Sequence, residues 1–563
     1  MSRKTQNRRM ETFLLPECLD DYVDHDNSVR ALDLFVEKLD LAELEFDLKA
    51  EGSVGRPVDY RPQALLKLLI YGYLNQVRSS RKLEKETKRN LEVIWLLEKA
   101  QPDHWTINAF RKKNCAAYQN VLRSFHKVCD KLELFGKELA SGDGTFYKAL
   151  NNKANNYTAS KLDKLEKRID EAIAACENQP ASPAINEAVE SYDQALDASH
   201  EEEAEHHTAP ATDESNPSAT PPPNDGSGDT TDDSTDPVEN RDGATAEDST
   251  VALQSKSAPT TSCIEIKNLR AEGTLEELQA KKGKIGELRK AAQASPSGQV
   301  SLNDPDSRLL KKGNQSVVGH NVQCSVDGKN TLIAHIGIAQ AGNDANQMES
   351  LARETCQALG IEPSEENPLE VTFDGGYYNA AQISNLEEDH IRVHIPAKTT
   401  TSIKTPGYQT ETDFRYDPDN DEYVCPQGQR LERHSDTTNK GITYQTYYNT
   451  AACRECPVRE ACTKGKYRKI QISEYRAVER KVAARMEEHP EIYARRKELS
   501  ELPFGTMKAV WGYQQFMVTG AEGCDGELNL MGLSFNWKRA LNLVGMEALM
   551  EAILASSSLF WGY

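Results

Sequence analysis

One stretch sets the terms for everything else in this chain. Residues 177–262 are rich in Glu, Asp, Ser, Thr and Pro and include Pro221-Pro222-Pro223. They hold too little apolar surface to offset the entropy of ordering a backbone, so this segment is expected to be disordered. Any fold must assemble from the pieces on either side. Between Glu177 and Thr250 there are 20 Asp and Glu against a single basic residue, Arg241. Taking these from the chain's 88 acidic and 67 basic residues leaves 68 and 66. The formal charge of −21 is therefore local, and the body stays compatible with a nucleic-acid partner.

Residues 10–135 read as helical. Pro62 opens an apolar run, Ala64 to Ile70, with proline in the first turn of a helix. A second helix, Arg81 to Arg89, carries a crowd of cations, and Thr106 is the expected N-cap of a third that bears Arg111, Lys112 and Lys113. Short helices with sharp breaks and cations on two of them suit a helix-turn-helix-like DNA reader. An ordinary solvated bundle has the same pattern. Gly55-Arg56-Pro57 has the composition of a minor-groove arm.

Beyond residue 138 the pattern becomes β. Leu139 to Leu150 reads as a strand with Asp143 near its middle and Lys148 close by. Charged amphipathic helices at 157–175 and 275–292 flank the acidic segment and can pair as a hairpin. Ser316 to Val326, the turn Asp327-Gly328-Lys329-Asn330, and Thr331 to Ile338 predict a β-hairpin. A helix at 346–359 leads to Val371-Thr372-Phe373, which ends at Asp374-Gly375-Gly376; a further helix and the strand Ile391 to Pro396 follow. This order predicts a mixed α/β sheet. Asp374 is placed at a strand's carboxyl end, where side chains from other elements can meet it.

Residues 400–470 interrupt the α/β pattern. Cys425, Cys453, Cys456 and Cys462, two of them as Cys-x-x-Cys, suit tetrahedral Zn²⁺; four reduced cysteines in a small core are the alternative. Glu474 to Leu499 predicts a long charged helix. Glu501 is expected to end it, just before a Pro503-Phe504-Gly505 break. Twelve cysteines in 563 residues are not a secreted disulfide framework, and Met1 to Arg9 has no apolar run of a signal peptide. Val544 to Tyr563, interrupted by Glu547 and Glu551, reads as an amphipathic helix and not a membrane span.

Taken together, these residues resemble the DDE transposases of bacterial insertion sequences. The matching pieces, in order, are Gly55-Arg56-Pro57 with Tyr71-Gly72-Tyr73-Leu74 and Pro102-Asp103-His104; Asp143-Gly144-Thr145; Asp374-Gly375-Gly376-Tyr377-Tyr378-Asn379; and Glu501-Leu502-Pro503-Phe504-Gly505-Thr506-Met507-Lys508. The cysteine insert before Glu501 also resembles one in this branch. One departure stands out. The family's tyrosine-arginine-glutamate-lysine signature has Ala494 and Lys497 at its first two positions, with Tyr493 and Arg496 each one residue earlier.

The resemblance implies an RNase H-like α/β core over 138–399 and 471–563, interrupted at 177–262 and by a zinc-binding insert at 400–470, behind a helical DNA-binding domain at 1–135. It implies that Asp143, Asp374 and Glu501 hold two Mg²⁺ (or Mn²⁺) ions, and that Lys508, Arg496, Lys497 and Lys148, with Arg81, Arg89, Arg111 and Lys112 of the helical region, meet DNA. The implied partner is double-stranded DNA, as transposon ends and target, bound by a homodimer or larger oligomer in the cytoplasm at the nucleoid. The implied reaction is cleavage at the ends followed by strand transfer. A nuclease that cuts without joining, a non-catalytic DNA-binding regulator and a zinc-dependent structural protein are the competing readings. Asp304, Asp306, Asp327 and Glu527 are the other acids weighed for the catalytic roles.

Overall fold

The computed structural model describes residues 18–48, 60–151, 155–178, 271, 273–295, 298–301, 303–312, 315–397, 413–439 and 442–556. Gly55-Arg56-Pro57 and nearly all of the acidic segment lie outside them. The N-terminal part is helical: α1 (Ser28–Glu37), α2 (Pro62–Leu74), α3 (Ser80–Arg89), α4 (Leu91–Leu96), α5 (His104–Lys113) and α6 (Ala117–Lys131). Pro62 does occupy the first turn of α2, where its missing N–H costs nothing. Helix α5 starts earlier than Thr106 suggests. Its cap is Asp103, whose carboxylate accepts the Thr106 N–H at 2.7 Å.

Strand β1 (Leu139–Lys148) begins the sheet, and β2 (Asn156–Thr158) runs straight into α7 (Ala159–Asn178). After the acidic segment comes α8 (Leu275–Ala294). The described residues between 160 and 289 belong to a unit of their own. Within it, Arg289 pairs with Asp163 and Glu166, and Lys282 with Asp170. Rising positions on one helix meet falling positions on the other, so the expected hairpin is present and antiparallel. Leu162, Ile169, Leu278 and Ile285 are buried in its seam.

The main unit continues with β3 (Gln299–Ser301), β4 (Arg308–Lys312), β5 (Gln315–Asp327), β6 (Ile333–Ala339), α9 (Met348–Leu359), β7 (Leu369–Thr372), α10 (Ala380–Glu388) and β8 (Ile391–His394). Strands β5, β1, β7 and β8 are consecutive neighbours, with β4 and β6 both against the far side of β5. Strand β5 is antiparallel to β1 and β6, whereas β7 is parallel to β1 and β8. Ordered by sequence, the path β6-β5-β1-β7-β8 is third, second, first, fourth, fifth: the mixed RNase H-like sheet. The hairpin forms where its turn residues stand, with Asp327 closing β5.

A second, five-stranded sheet forms the insert: β9 (Arg415–Asp417), β10 (Glu422–Val424), β11 (Arg430–Asn439), β12 (Ile442–Tyr448), the short helices α11 (Thr450–Arg454) and α12 (Arg459–Cys462), and β13 (Lys469–Ser473). The chain then returns through α13 (Arg476–Glu488), α14 (Pro490–Gly505) and α15 (Ala521–Ala555). The single charged helix expected from Glu474 is two, divided at His489-Pro490, because proline cannot donate the amide that would continue α13. Nor does α14 stop at Glu501. It runs through Pro503 to Gly505 and into a wide turn closed by Trp511 N–H on Thr506 O at 2.9 Å. Burial of Leu499, Pro503, Phe504 and Met507 outweighs the backbone bond that Pro503 cannot make.

Each sheet face has its own core. On one side α1, α2, α6 and α15 bury Phe35, Phe125 and Trp537 against β5 and β6 residues such as Val322 and Ile333. On the other, α9 and α10 bury Leu351, Phe373, Ile383 and Val393, with Val482 of α13 joining them. No helix among the described residues is long and apolar enough to cross a membrane; α15 breaks its geometry at Gly545.

Candidate active site

The parallel pairing of β1 with β7 sets the site. Ser141 is opposite Thr372. Two residues further along each strand, Asp143 and Asp374 come level, where β7 has ended and β1 continues. Asp374 caps the turn Gly375–Tyr377, its carboxylate accepting the Gly376 N–H at 2.7 Å. Asp143 accepts the Gly144 N–H at 2.8 Å. Burial is the largest influence on the Asp143 carboxyl and pushes its pKa up. The Gly144 amide and the Arg496 guanidinium pull it down, while the charges of Asp374 and Asp344 push it further up. Like-charged carboxylates sharing a half-buried notch is the electrostatic state that a bound cation relieves.

Helix α14 and the turn after it supply cations to this notch. Arg496 acts on Asp143 and lies 5.9 Å over the Tyr493 ring, so the two residues displaced by one position from the family signature are neighbours. Lys508 donates to Thr145 Oγ1 at 2.6 Å and Phe146 O at 2.7 Å, and its ammonium is 4.4 Å from the centre of the Tyr147 ring. Thr145 and Asp143 share one face of β1. Lys148 is exposed at the end of the same strand.

Glu501 and Lys497 are exposed on α14 and line a shallow groove with Ala494, Glu498, Leu502, Gly505, Thr506 and Val510. The Glu501 carboxylate has no hydrogen-bond or ion-pair partner among the described residues. The structure thus brings Asp143, Asp374, Arg496 and Lys508 to one place, with Glu501 on the outer side of the helix that supplies Arg496. Of the helical-region cations, Arg81, Arg89 and Lys112 are exposed, Arg89 in an ion pair with Glu86. Arg111 is not available to DNA. It is 3% exposed, donates to Arg78 O at 2.6 Å and lies over the Tyr73 ring, because its position on α5 faces inward.

The other acids have structural duties. Asp327 accepts the backbone N–H groups of Gly136, Lys137 and Lys329. Glu527 pairs with Arg78 at 2.9 Å and takes the Met517 N–H. Asp306 accepts the Ala521 N–H at 2.8 Å, at the start of α15. Asp304 forms, with His320 and Cys524, a group whose donor atoms lie within 4.8 Å of one another. Those atoms are already engaged. Asp304 receives His320 Nε2 at 3.0 Å and the Gly520 N–H at 3.1 Å, while the Cys524 thiol donates to Val518 O. Burial pushes that thiol's pKa far up, and the three side chains as described form a buried hydrogen-bonded clamp.

Cys425, Cys453, Cys456 and Cys462 all line one cavity in the insert, with Phe414, Leu431 and Arg468. The Gln429 N–H donates to Cys425 Sγ at 3.3 Å, made feasible by Gly428 in the left-handed region (φ 76°). Burial, as the largest influence, raises the Cys462 thiol; Arg468 lowers it, and the other three sulfurs raise it further. None of the four is in a disulfide.

Composition alone hides Asp344. It stands in Gly342-Asn343-Asp344-Ala345-Asn346, which reads as a turn. Its partners Asn321 and Gln323 share one face of β5, but that face also carries Ser325 and Asp327, so the pair does not stand out in the sequence.

Residues 17–113 match the family described as a transposase domain (DUF772), and residues 424–541 match the transposase DDE domain. The second match contains the insert's cysteines, Glu501 and Lys508. Comparison with curated proteins and with solved structures returns no match. The RNase H-like sheet and the two family matches, one on each side of it, identify the chain as a DDE transposase of the insertion-sequence type.

Proposed function

We propose that this transposase cuts DNA at its element's ends and joins the freed 3′-hydroxyl to target DNA, using Asp143, Asp374 and Glu501 as ligands of two Mg²⁺ or Mn²⁺ ions. The observation that carries the reading is the register of β1 with β7, which sets Asp143, within β1, beside Asp374, just past the end of β7, with no cationic side chain paired directly to either among the described residues. The donor set fits the ions, since hard cations take carboxylate oxygens together with water and phosphate. Bound there, a pair of such ions supplies activation of an attacking oxygen and stabilisation of a leaving one.

The chain's own side chains do the rest. Asp143 and Asp374 are fixed by strand pairing and by their backbone hydrogen bonds. Glu501, exposed on α14 and unpartnered among the described residues, is the third acid that the family signature assigns to the set. Arg496 and Lys508 hold phosphate beside the carboxylates, and Lys497 and Lys148 extend the basic margin. Arg81, Arg89 and Lys112 within residues 1–135 contact the duplex backbone, the sequence-independent part of end binding. In the insert, Cys425, Cys453, Cys456 and Cys462 hold Zn²⁺, supported by their shared cavity and by the amide aimed at Cys425 Sγ.

The test uses duplexes made from the sequences flanking the gene. With Mg²⁺, the full chain is expected to nick these ends and to give joined product from a pre-cut 3′-hydroxyl end, and Asp143→Asn to give neither. Nicking without joining would leave a nuclease. Sequence-dependent binding with no nicking in any divalent metal would leave a DNA-binding regulator.

A further inference from the structure

The five-stranded sheet of the insert has its core on one face only. Tyr423, Leu431, Tyr447 and Ile470 are buried together there. Side chains alternate along a strand, so Tyr448, next to Tyr447, stands on the opposite face. In register, Tyr448 has Lys469 of β13 on one side and Glu432 of β11 on the other. Strand β11 then bulges: His434 is an extra residue between Arg433 and Ser435, paired with no residue of β12. A bulge re-aims a side chain, and this one lays the imidazole on Tyr448. The two rings are 3.8 Å apart between centres and 13° from parallel, and His434 Nε2 donates to Tyr448 O at 3.1 Å. Tyr467, just before β13, meets the Tyr448 ring at 5.0 Å.

This aromatic column lies away from the core and open to solvent. His434 is exposed, and Tyr448 and Tyr467 are half-buried. The chain beside it is basic. Thr463 to Lys469 contains Lys464, Lys466, Arg468 and Lys469 and no acid. Arg468 is used inside the insert, donating to Cys462 O at 3.2 Å and lying over the Phe414 ring. Lys466 and Lys469 are exposed and have no carboxylate partner among the described residues. The acid of this face, Glu432, is across Tyr448 from Lys469, so the charge is sorted to two sides of the column.

Stacked rings offer a π-face to any unpaired base, and cations beside them take the phosphates of the same strand. Bases within a duplex are covered by their neighbours and cannot use such a face. We propose that this side of the insert binds single-stranded DNA, a base stacking on the His434–Tyr448 column and the backbone running along Lys466 and Lys469. This rests on the reading that DNA is the substrate of the chain.

The test is fluorescence anisotropy of a dye-labelled oligothymidine, and separately of a duplex, with the full-length chain and no added divalent metal. His434→Ala and Tyr448→Ala are each expected to weaken oligothymidine binding about tenfold or more and to leave duplex binding unchanged. Tyr448→Phe, which keeps the ring, is expected to bind as wild type; a loss there would count against stacking. Replacing Lys466 and Lys469 together by alanine is expected to lower the slope of log affinity against log salt by about 1.4, or about 0.7 for each phosphate contact on a single strand. If Tyr448→Ala melts early, the exposed His434→Ala and the double lysine variant decide. Wild-type oligothymidine affinity in both overturns the proposal, as does an equal loss on single strand and duplex. A wild-type chain that binds and nicks duplex ends but not oligothymidine overturns this proposal alone. A chain that binds neither DNA overturns the reading beneath it as well.

Discussion

Ser141 of β1 and Thr372 of β7 face each other in parallel register, and this one pairing brings Asp143 level with Asp374. Asp143 is held by its strand, and Asp374 by the turn that it caps two residues past the end of β7. Asparagine at either position is therefore expected to preserve the fold and remove the chemistry. Cleavage should fall by more than about 100-fold, beyond the usual cost of losing an outer partner of a metal ligand. The metal-free melting temperature of Asp143→Asn should hold or rise. The sign follows from the raised Asp143 carboxyl: the folded state holds that proton more tightly than the unfolded chain, so the group's contribution favours folding at low pH and is lost as pH rises through the raised value. Melting curves and a nicking assay on the same preparations check both halves; a clear drop in melting temperature would mean that these acids serve the fold.

Gly144 is expected to tolerate no side chain. Alanine there would put a methyl group within 2.6–2.8 Å of three polar atoms. Displacing them should cost about 1–3 kcal/mol, in the range of overpacked interiors, and lower cleavage with it. Unchanged melting and nicking for Gly144→Ala would show that the notch is looser than described.

A buried ion pair braces the strands beneath the site. Arg485 of α13 meets Glu387 of α10 through two contacts, 2.6 and 2.8 Å, and also donates to Val393 O of β8. Burial works against the Glu387 charge, but Arg485 and Lys481 overcome it and bring the pKa down to about 2 from an ordinary 4.5. A depressed carboxyl contributes stability that is complete above its unfolded value and disappears as pH falls through the folded one. The window is therefore from about 4.5 down to about 2, and the full contribution is about 3 kcal/mol. Melting of wild type and Glu387→Gln across this range should show a gap that is widest at neutral pH and closes toward pH 2. A gap independent of pH would assign the loss to packing.

Zinc content is the simplest check on the insert. Purified protein is expected to carry one Zn²⁺ per chain and Cys456→Ser to lose it, with amide exchange rising across β9–β13 because metal binding contributes to folding. Protein without zinc, together with wild-type exchange in Cys456→Ser, would return the cysteines to a plain reduced core.

Much of this arrangement was legible before any coordinates. The Asp327-to-Asn330 turn marked its hairpin, glycines marked the carboxylates at 143 and 374, and amphipathic spacing marked α7 and α8, because each is a local signal. Long-range packing hid the rest. Thr106 is a good cap by type, yet Asp103 is nearer to the right amide. Arg111 reads as a surface cation until α5 is docked and its guanidinium meets Arg78. Pro503 reads as a break, although the apolar residues around it keep α14 helical.

The register of β1 also has a bearing on when, during synthesis, the proposed site can assemble. Asp143 is made early, yet Lys508, which fastens onto the same strand, comes 363 residues after its partner Thr145. At the usual pace of translation that is roughly 20–70 s of synthesis. A nascent or truncated chain therefore holds the first acid of the proposed site without the lysine that fastens onto its strand, and the site assembles only in a nearly finished product.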